Sequence, residues 1–475
     1  MKSRLTKNYS YTMLYQLLTV VTPLFITPYA SRVLGPEKIG IDAFVNSIVQ
    51  IFMVFILLSI HTYGRKQIAQ AKNKNYQEVF SQIYSIQVMT TLIVLTIYMI
   101  FIFWYGDYLL LFLLYSITLL STGIDIAWYF IGKEEISRIM RRNITVKILT
   151  VISIFIFVRT EEDLWLYILI NGLSLLIGQV VTWIALIRDI KGFYLTSKKW
   201  NVHFPLILIL SAVPCSTLVY ISINKILLGY FAGESEVGFY NQGYKLYLMF
   251  IGFVTALSAV LMPRMVIHFN KGEQKQIRKY IHFSIRFILM TTMPLAVGII
   301  LVAPVFVPWF LGEDFSAVSE VMVVIAPCFI LKGLADIFGV QYLVIADKYK
   351  SYAMAVSLGS LMSVVACFVS LYLGFEATAP AFALLIGTGT TLILEMVISK
   401  NVYSIKLFYI LLGKYTLLSI LMGIIVFIVG GFIESQSPVV VLSIKGIIGS
   451  ITYVILLIIV RDPIMRLITN KITVR

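Results

Sequence analysis

Charge and cysteine are both scarce in this chain of 475 residues. Only 13% of its residues are Asp, Glu, Lys or Arg, and its three cysteines lie in separate apolar segments without a CxxC pair. Isolated cysteines such as Cys215, Cys328 and Cys367 behave as small core hydrophobes and predict neither a disulfide nor a metal site. The sequence also lacks GxxxxGK[ST], HExxH and GxSxG motifs. We therefore expect no direct use of ATP, no cofactor and no enzymatic activity.

Apolar residues, in contrast, make up 59% of the chain, and the mean hydropathy is +0.92. A soluble domain of this size is far less apolar, so we predict an all-α integral membrane protein. About fourteen apolar runs are long enough to cross roughly 30 Å of hydrocarbon as helices. The first run is too long for a cleaved signal peptide. The approximate limits of the runs are 10–33, 39–62, 81–103, 108–131, 144–160, 163–187, 204–231, 237–262, 282–303, 317–346, 351–373, 378–398, 409–430 and 438–460.

The net charge of +15 would suggest a nucleic-acid partner in a soluble protein, but here the cations follow the topology. Of 38 lysines and arginines, 29 belong to the two termini and to alternate connections, whereas the opposite connections hold only Lys38 and Arg159. The positive-inside rule then places both termini in the cytoplasm. The basic segments near 64–80 and 264–281 are interpreted either as surface helices or as solvated linkers. We predict no nucleic-acid binding.

An internal repeat divides the chain. The segment Leu34–Gly40 recurs 198 residues later as Ala232–Gly238, with the same glycine spacing. Six spans separate the copies, so both copies enter the membrane from the same side, as a parallel repeat. We predict two pseudo-symmetric six-helix bundles, 1–198 and 199–406, followed by two additional helices and a cytoplasmic tail, 407–475.

Ionisable residues inside the apolar runs are the candidates for function. A cation within a span costs about 2.5–3.5 kcal/mol even on a lenient scale, and four such cations suggest binding of an anion: Arg32, Lys225, Lys245 and Lys332. Arg32 and Lys225 could instead reach the membrane surface. Lys332 could pair with Asp336 one turn away, and Asp42 could orient Arg32. Lys445, on an added span, is expected to be peripheral.

Two further groups accompany these cations. Tyr240, Asn241 and Tyr244 lie around Lys245 at helical spacing, a combination that suits a sugar phosphate but also an interfacial aromatic belt. Asp125 shares a predicted stripe with Ser121 and Tyr129. Its carboxylate could exchange a proton or bind Na⁺, or it could form an interhelical hydrogen bond. Asp42, Asp125 and Asp336 are thus our candidates for ion coupling or for orienting the cations.

Several stretches resemble Wzx-type oligosaccharide flippases, and the resemblance runs over nearly the whole chain. Asn224 stands where this family often has aspartate, so no ion role is transferred to it. The stretches that carry the resemblance are Asn8–Tyr11, Pro28–Gly35, Ser47–Val49, Trp128–Glu134, Leu227–Gly229, Glu236–Tyr240 and Trp309–Phe315.

The resemblance implies a polysaccharide transporter of the MOP superfamily, in the bacterial cytoplasmic membrane. Such proteins turn undecaprenyl-pyrophosphate-linked oligosaccharides from the inner to the outer leaflet. We expect alternating access of two bundles about a cleft, with coupling to H⁺ or Na⁺ and a polymerase partner left open. The alternatives are a cation-coupled drug exporter of the MATE kind, which would favour acidic cavity residues, and a polysaccharide polymerase, which would have a large outer loop.

Overall fold

The computed structural model describes residues 2–71, 76–190, 192–433 and 436–466. Within these ranges the chain is helical and has no strand, which confirms the prediction of an all-α protein. Five cations that entered the count of basic connections lie outside the described residues: Lys72, Lys74, Lys191, Lys471 and Arg475.

Sixteen helices form the described part of the chain, and short 3₁₀ or π segments precede or follow some of them. They are α1 (Lys2–Leu57), α2 (Ile60–Gln70), α3 (Tyr76–Tyr105), α4 (Leu109–Gly123), α5 (Ala127–Gly132), α6 (Ile136–Phe157), α7 (Leu164–Ile187), α8 (Trp200–Ala232), α9 (Glu234–Asn270), α10 (Gln274–Leu311), α11 (Val318–Ile325), α12 (Cys328–Phe338), α13 (Tyr349–Tyr372), α14 (Ala379–Ile398), α15 (Ile405–Ile433) and α16 (Pro438–Ile459).

Among the described residues, eleven helical stretches are long and apolar enough to cross a membrane. The first, Asn8–Gln70, has 63 residues, about three times what one crossing needs. It contains the first two predicted spans, joined at Gly35, where φ is 71°. Glycine adopts this left-handed conformation without steric cost. The chain is a multi-pass membrane protein, while the count of fourteen spans stays a prediction.

Large apolar side chains cover the outside of these helices. Phe103, Trp104, Phe427 and Phe432 are each at least two thirds exposed. Soluble proteins rarely expose extended apolar surface of this kind. Lipid acyl chains remove the cost of exposing it, so these residues mark surfaces that face the bilayer.

The chain divides into two compact units, Met1–Gly238 and Phe239–Arg475. In unit 1, aromatic side chains from α2, α3, α5 and α7 pack together, with Phe80 stacked on Trp128 at 5.4 Å between ring centroids. In unit 2, α13 and α14 pack closely because glycine and hydroxyl residues face each other: a methyl group on Gly387 would lie 2.6 Å from Cβ of Ser363. The bundle limits 1–198, 199–406 and 407–475 stay predictions.

The two copies of the repeated segment contact each other within unit 1. A methyl group on Gly40 would lie 1.7 Å from the carbonyl oxygen of Glu234, and one on Gly238 would lie 2.3 Å from that of Pro36. The contact is reciprocal, because Glu234 and Gly238 are Pro36 and Gly40 displaced by 198 residues. Reciprocity of this kind is the mark of a two-fold relation between the segments.

The basic segment near 64–80 contains the separate short helix α2, and its placement at the membrane surface stays a prediction. Helix α2 buries Ile60, Tyr63, Gly64 and Ile68 on one face. The segment near 264–281 differs, because α9 and α10 extend through most of it and leave only a short connection.

Candidate functional site

Two of the predicted cations belong to unit 1. Arg32 lies on α1 and is exposed, whereas Lys225 lies on α8 and is partly buried. The two helices pack against each other, and the ring of Phe44 on α1 approaches Gly229, where an added methyl group would lie 2.5 Å from it. The structure therefore places Arg32 and Lys225 on neighbouring helices, while their role in binding stays a prediction.

Asp42 is buried, with 6% of its surface exposed. Its Oδ1 accepts a hydrogen bond of 2.7 Å from the Tyr115 hydroxyl of α4. This bond ties the second segment of α1 to α4. That Asp42 also orients Arg32 stays a prediction.

Asp125 does not lie on a continuous helix face, as its spacing from Ser121 and Tyr129 suggested. The helix breaks between α4 and α5, and Asp125 Oδ1 accepts a 2.9 Å bond from the backbone nitrogen of Ala127. Gln87 donates to the carbonyls of Gly123 and Asp125, both at 2.9 Å, and so satisfies backbone groups that the break exposes. Asp125 Oδ2 also lies 3.7 Å from His61 Nε2. The hydrogen bond from the Ala127 nitrogen is local, so both alternatives given for Asp125, ion exchange and an interhelical hydrogen bond, stay predictions.

The aromatic residues around Lys245 form a ladder along α9 in unit 2. The rings of Tyr240 and Tyr244 stack at 5.9 Å, and Tyr247 packs on Phe329 of α12 at 4.9 Å. Tyr240 and Asn241 are buried, at 1% and 5% exposed. Tyr244 and Lys245 are only partly buried. The role of this group in binding a substrate stays a prediction.

Lys332 and Asp336 form the ion pair that their spacing suggested, with 2.8 Å between Nζ and Oδ1. The lysine side chain is 44% exposed and the aspartate side chain 10%. The pair lies on α12, which packs on the Lys245-bearing helix through Tyr247 and Phe329. Lys245 and Lys332 are therefore carried by neighbouring helices of unit 2.

Glu395 of α14 was missed by the sequence reasoning. Only 1% of its surface is exposed, and within the described part of the chain its Oε2 has no hydrogen-bond partner. The other oxygen, Oε1, packs against Gly339, one turn beyond Asp336, where an added methyl group would lie 2.4 Å away. The available signal was an acidic residue inside the apolar run 378–398.

Lys445 was expected to be peripheral, yet it lines an apolar cavity of about 500 Å³ in unit 2. The cavity lies mainly among α10, α15 and α16, with one lining residue each from α9 and α11, and its walls include Phe250, Leu295 and Met422. Lys445 is the one charged residue among those that line it. Its Nζ lies 3.5 Å from the carbonyl oxygen of Leu301. An apolar cavity with a single cation is suited to an amphipathic anion.

Known proteins resemble this chain in sequence and in fold. A candidate O-antigen transporter of Escherichia coli (strain K12) is 21% identical over 77% of this chain and 90% of its own. A candidate low-salt glycan biosynthesis flippase of Haloferax volcanii is 23% identical over 44% of each chain. The lipid II flippase MurJ, in an inward closed conformation, superposes with a TM-score of 0.70 at 18% identity, over 96% of this chain and 99% of that one.

A multidrug resistance MATE transporter of the MOP superfamily, in an inward-facing conformation, has the same fold. Its TM-score is 0.63 at 13% identity, over 83% of this chain and 97% of the other. The family model described as polysaccharide biosynthesis protein matches residues 5–269, more than half of the chain. The resemblance to polysaccharide transporters is thus confirmed, and the chain belongs to the polysaccharide biosynthesis protein family.

Proposed function

We propose that this protein is a flippase that moves a lipid-linked oligosaccharide, carried on undecaprenyl pyrophosphate, from the inner to the outer leaflet of the bacterial cytoplasmic membrane. Both termini lie in the cytoplasm, as the distribution of cations predicts. Family membership and the flippase and transporter descriptions of the relatives support this activity.

The observation that carries the proposal is the apolar cavity with Lys445 on its wall. A prenyl chain is wholly apolar, whereas its diphosphate is anionic, so a binding region needs both kinds of surface. The candidate cations for the diphosphate stay Arg32 and Lys225 in unit 1 and Lys245 and Lys332 in unit 2, each considered within its own unit. Charge-assisted hydrogen bonds from such cations to phosphate are strong away from bulk water. Tyr244 stacks on a sugar of the oligosaccharide.

Removing a substrate cation is expected to reduce export at normal protein abundance. Arg32→Ala or Lys245→Ala in cells with no other copy should lower surface polysaccharide at least tenfold, since a hydrogen bond to a charged group contributes about 1.5–3 kcal/mol. The measurement is polymer at the cell surface, normalised to membrane-inserted protein. Lys400→Ala, at an exposed connection, is the control and should behave as wild type. Wild-type polymer in both test variants would remove these residues from the mechanism.

The buried acids of unit 2 support coupling to a cation. A carboxylate with an unpartnered, buried oxygen is costly unless it binds a proton or a metal ion, and Glu395 has such an oxygen within the described residues. We place H⁺ or Na⁺ coupling at Glu395 together with Asp336, whose own partner is Lys332.

Glu395→Gln is expected to uncouple transport from the gradient, because the amide cannot exchange a proton or neutralise Na⁺. In proteoliposomes with fluorescent lipid-linked oligosaccharide, flipping by wild type should accelerate under a pH or Na⁺ gradient, whereas flipping by the variant should be equal with and without it. Glu376→Gln, at an exposed position, should retain the acceleration. A gradient response of wild-type size in Glu395→Gln would contradict the assignment.

A further inference from the structure

A second cavity, polar and separate from the residues proposed to hold the substrate, lies at one end of unit 1. It has a volume of about 590 Å³ and is lined by α2, by Tyr76 at the start of α3, and by residues 131–134 at and just after the end of α5. Thr62, Arg65, Lys66 and Ala69 line it from α2. These four positions share the helix face opposite the buried Tyr63, Gly64 and Ile68.

Helix α2 is held in place by close packing of the face opposite to its cations. A methyl group on Gly64 would lie 2.6 Å from the Trp128 ring, and one on Gly132 would lie 2.7 Å from Ile68. Gly64 of α2 thus packs directly on the Trp128 side chain of α5, and Gly132 of α5 packs directly on the Ile68 side chain of α2. Close packing on one face fixes the direction in which Arg65 and Lys66 project from the other.

Charge in this cavity is mainly positive. Arg65, Lys66 and Lys133 are its cations, and Glu134 is its acid. Asp189 pairs with Lys133 at 2.5 Å, and the Lys133 ammonium also lies 5.1 Å from the Tyr76 ring centroid. Arg65 hydrogen-bonds within its own helix, to the His61 carbonyl at 3.0 Å and the Thr62 hydroxyl at 3.4 Å. Arg65 and Lys66 are exposed, so both are accessible to an anion.

The position of the cavity along the membrane normal can be inferred from where the apolar helices end. The candidate span Leu109–Gly132 ends at a cavity residue, and the span Tyr76–Tyr105 begins at another. Arg65 lies near the end of the stretch Asn8–Gln70. Three apolar stretches that terminate together mark the level of lipid headgroups, where tyrosine is also enriched.

We propose that this cavity binds the phosphate of a membrane lipid headgroup, held by Arg65 and Lys66 with Lys133 behind them. Basic pockets between helices at the membrane surface are the usual receptors for anionic lipid headgroups. The site requires only that the chain is embedded in a membrane, whichever membrane lipid supplies the phosphate. Glu134 weakens the site, because its carboxylate repels the phosphate.

The test measures lipid binding by the full-length protein in nanodiscs of phosphatidylcholine with or without phosphatidylglycerol, by native mass spectrometry. We expect retained phosphatidylglycerol in wild type and about thirtyfold weaker binding in Arg65→Gln/Lys66→Gln. Glu134→Gln should bind several-fold more tightly. A general structural effect of the substitutions would weaken lipid binding in both variants, because both alter exposed side chains of the same cavity. Weaker binding in one variant and tighter binding in the other therefore indicates an effect of charge.

The matched control, Lys271→Gln/Lys275→Gln, should bind like wild type. It removes two exposed cations, one from the connection of α9 and α10 and one from the first turn of α10. A second arm offers undecaprenyl diphosphate in phosphatidylcholine alone. If wild type binds only that lipid, and binding is weaker in Arg65→Gln/Lys66→Gln and tighter in Glu134→Gln, the phosphate site is supported. The prenyl carrier is then the lipid that supplies the phosphate. Equal binding of either lipid by wild type and the cavity variants, or an equal loss in the control, would overturn the proposal.

Discussion

Gly40→Ala is expected to destabilise the protein by about 3 kcal/mol or more and to abolish export. The added methyl group would lie 1.7 Å from the Glu234 carbonyl oxygen, and a backbone atom cannot move aside as a side-chain end can. Overpacking of this kind costs about 1–3 kcal/mol even where side chains can shift. The thermal unfolding temperature of the purified protein and the surface polysaccharide of cells measure the two effects.

Gly413→Ala is the control for this prediction, because no heavy atom lies within 4 Å of a methyl group added there. It should be neutral or slightly stabilising, since alanine in a helix is favoured over glycine by about 0.5–1 kcal/mol. Gly238→Ala should resemble Gly40→Ala, and the double variant should cost less than the sum of the two, because one displacement relieves both contacts. Full additivity, or an unfolding temperature like that of the control, would show that the reciprocal contact is not a single unit.

Asp462→Ala is expected to cost about 3 kcal/mol of stability, because it leaves three donors without their acceptor. Asp462 is fully buried and accepts bonds from Lys414 Nζ at 2.5 Å, the Tyr415 hydroxyl at 2.7 Å and the Ile464 nitrogen at 2.9 Å. These bonds fasten the segment that follows α16 to α15. The unfolding temperature should fall by several degrees, while Asp314→Asn, at an exposed acid, should leave it unchanged.

The charge of Asp462 gives this effect a defined pH dependence. Burial raises the pKa of Asp462, but the hydrogen bonds from Lys414, Tyr415 and Ile464 outweigh it, so the pKa lies below its ordinary value. The stabilisation is therefore complete above the unfolded pKa of about 3.9 and is lost as the pH falls through the lower folded pKa. The difference in unfolding temperature between wild type and Asp462→Asn should stay constant near neutral pH and shrink only below about pH 4. A difference that shrinks between about pH 6 and 8 would contradict the assignment.

The sequence by itself determined the properties that depend on local composition. Apolar runs predict helices in a membrane because hydrocarbon offers the backbone N–H and C=O groups no hydrogen-bond partners, and a helix pairs these groups with each other. The pair of Lys332 and Asp336 could be predicted because residues four apart meet on one helix face. The repeat could be read from the matching glycines around Gly35 and Gly233, which need no knowledge of packing.

Only the tertiary structure decided the contacts between distant segments. Gln87 donates a hydrogen bond to the backbone carbonyl of Asp125 at the helix break, and Glu395 packs against Gly339. The two residues of each contact are far apart in sequence, so helical periodicity does not predict the contact. The cavity beside Lys445 likewise requires five helices to meet, from α9 to α16. Side-chain chemistry and spacing within one segment determine which helices form. How closely two helices approach depends on the side chains of both at once, so it cannot be predicted from one segment alone.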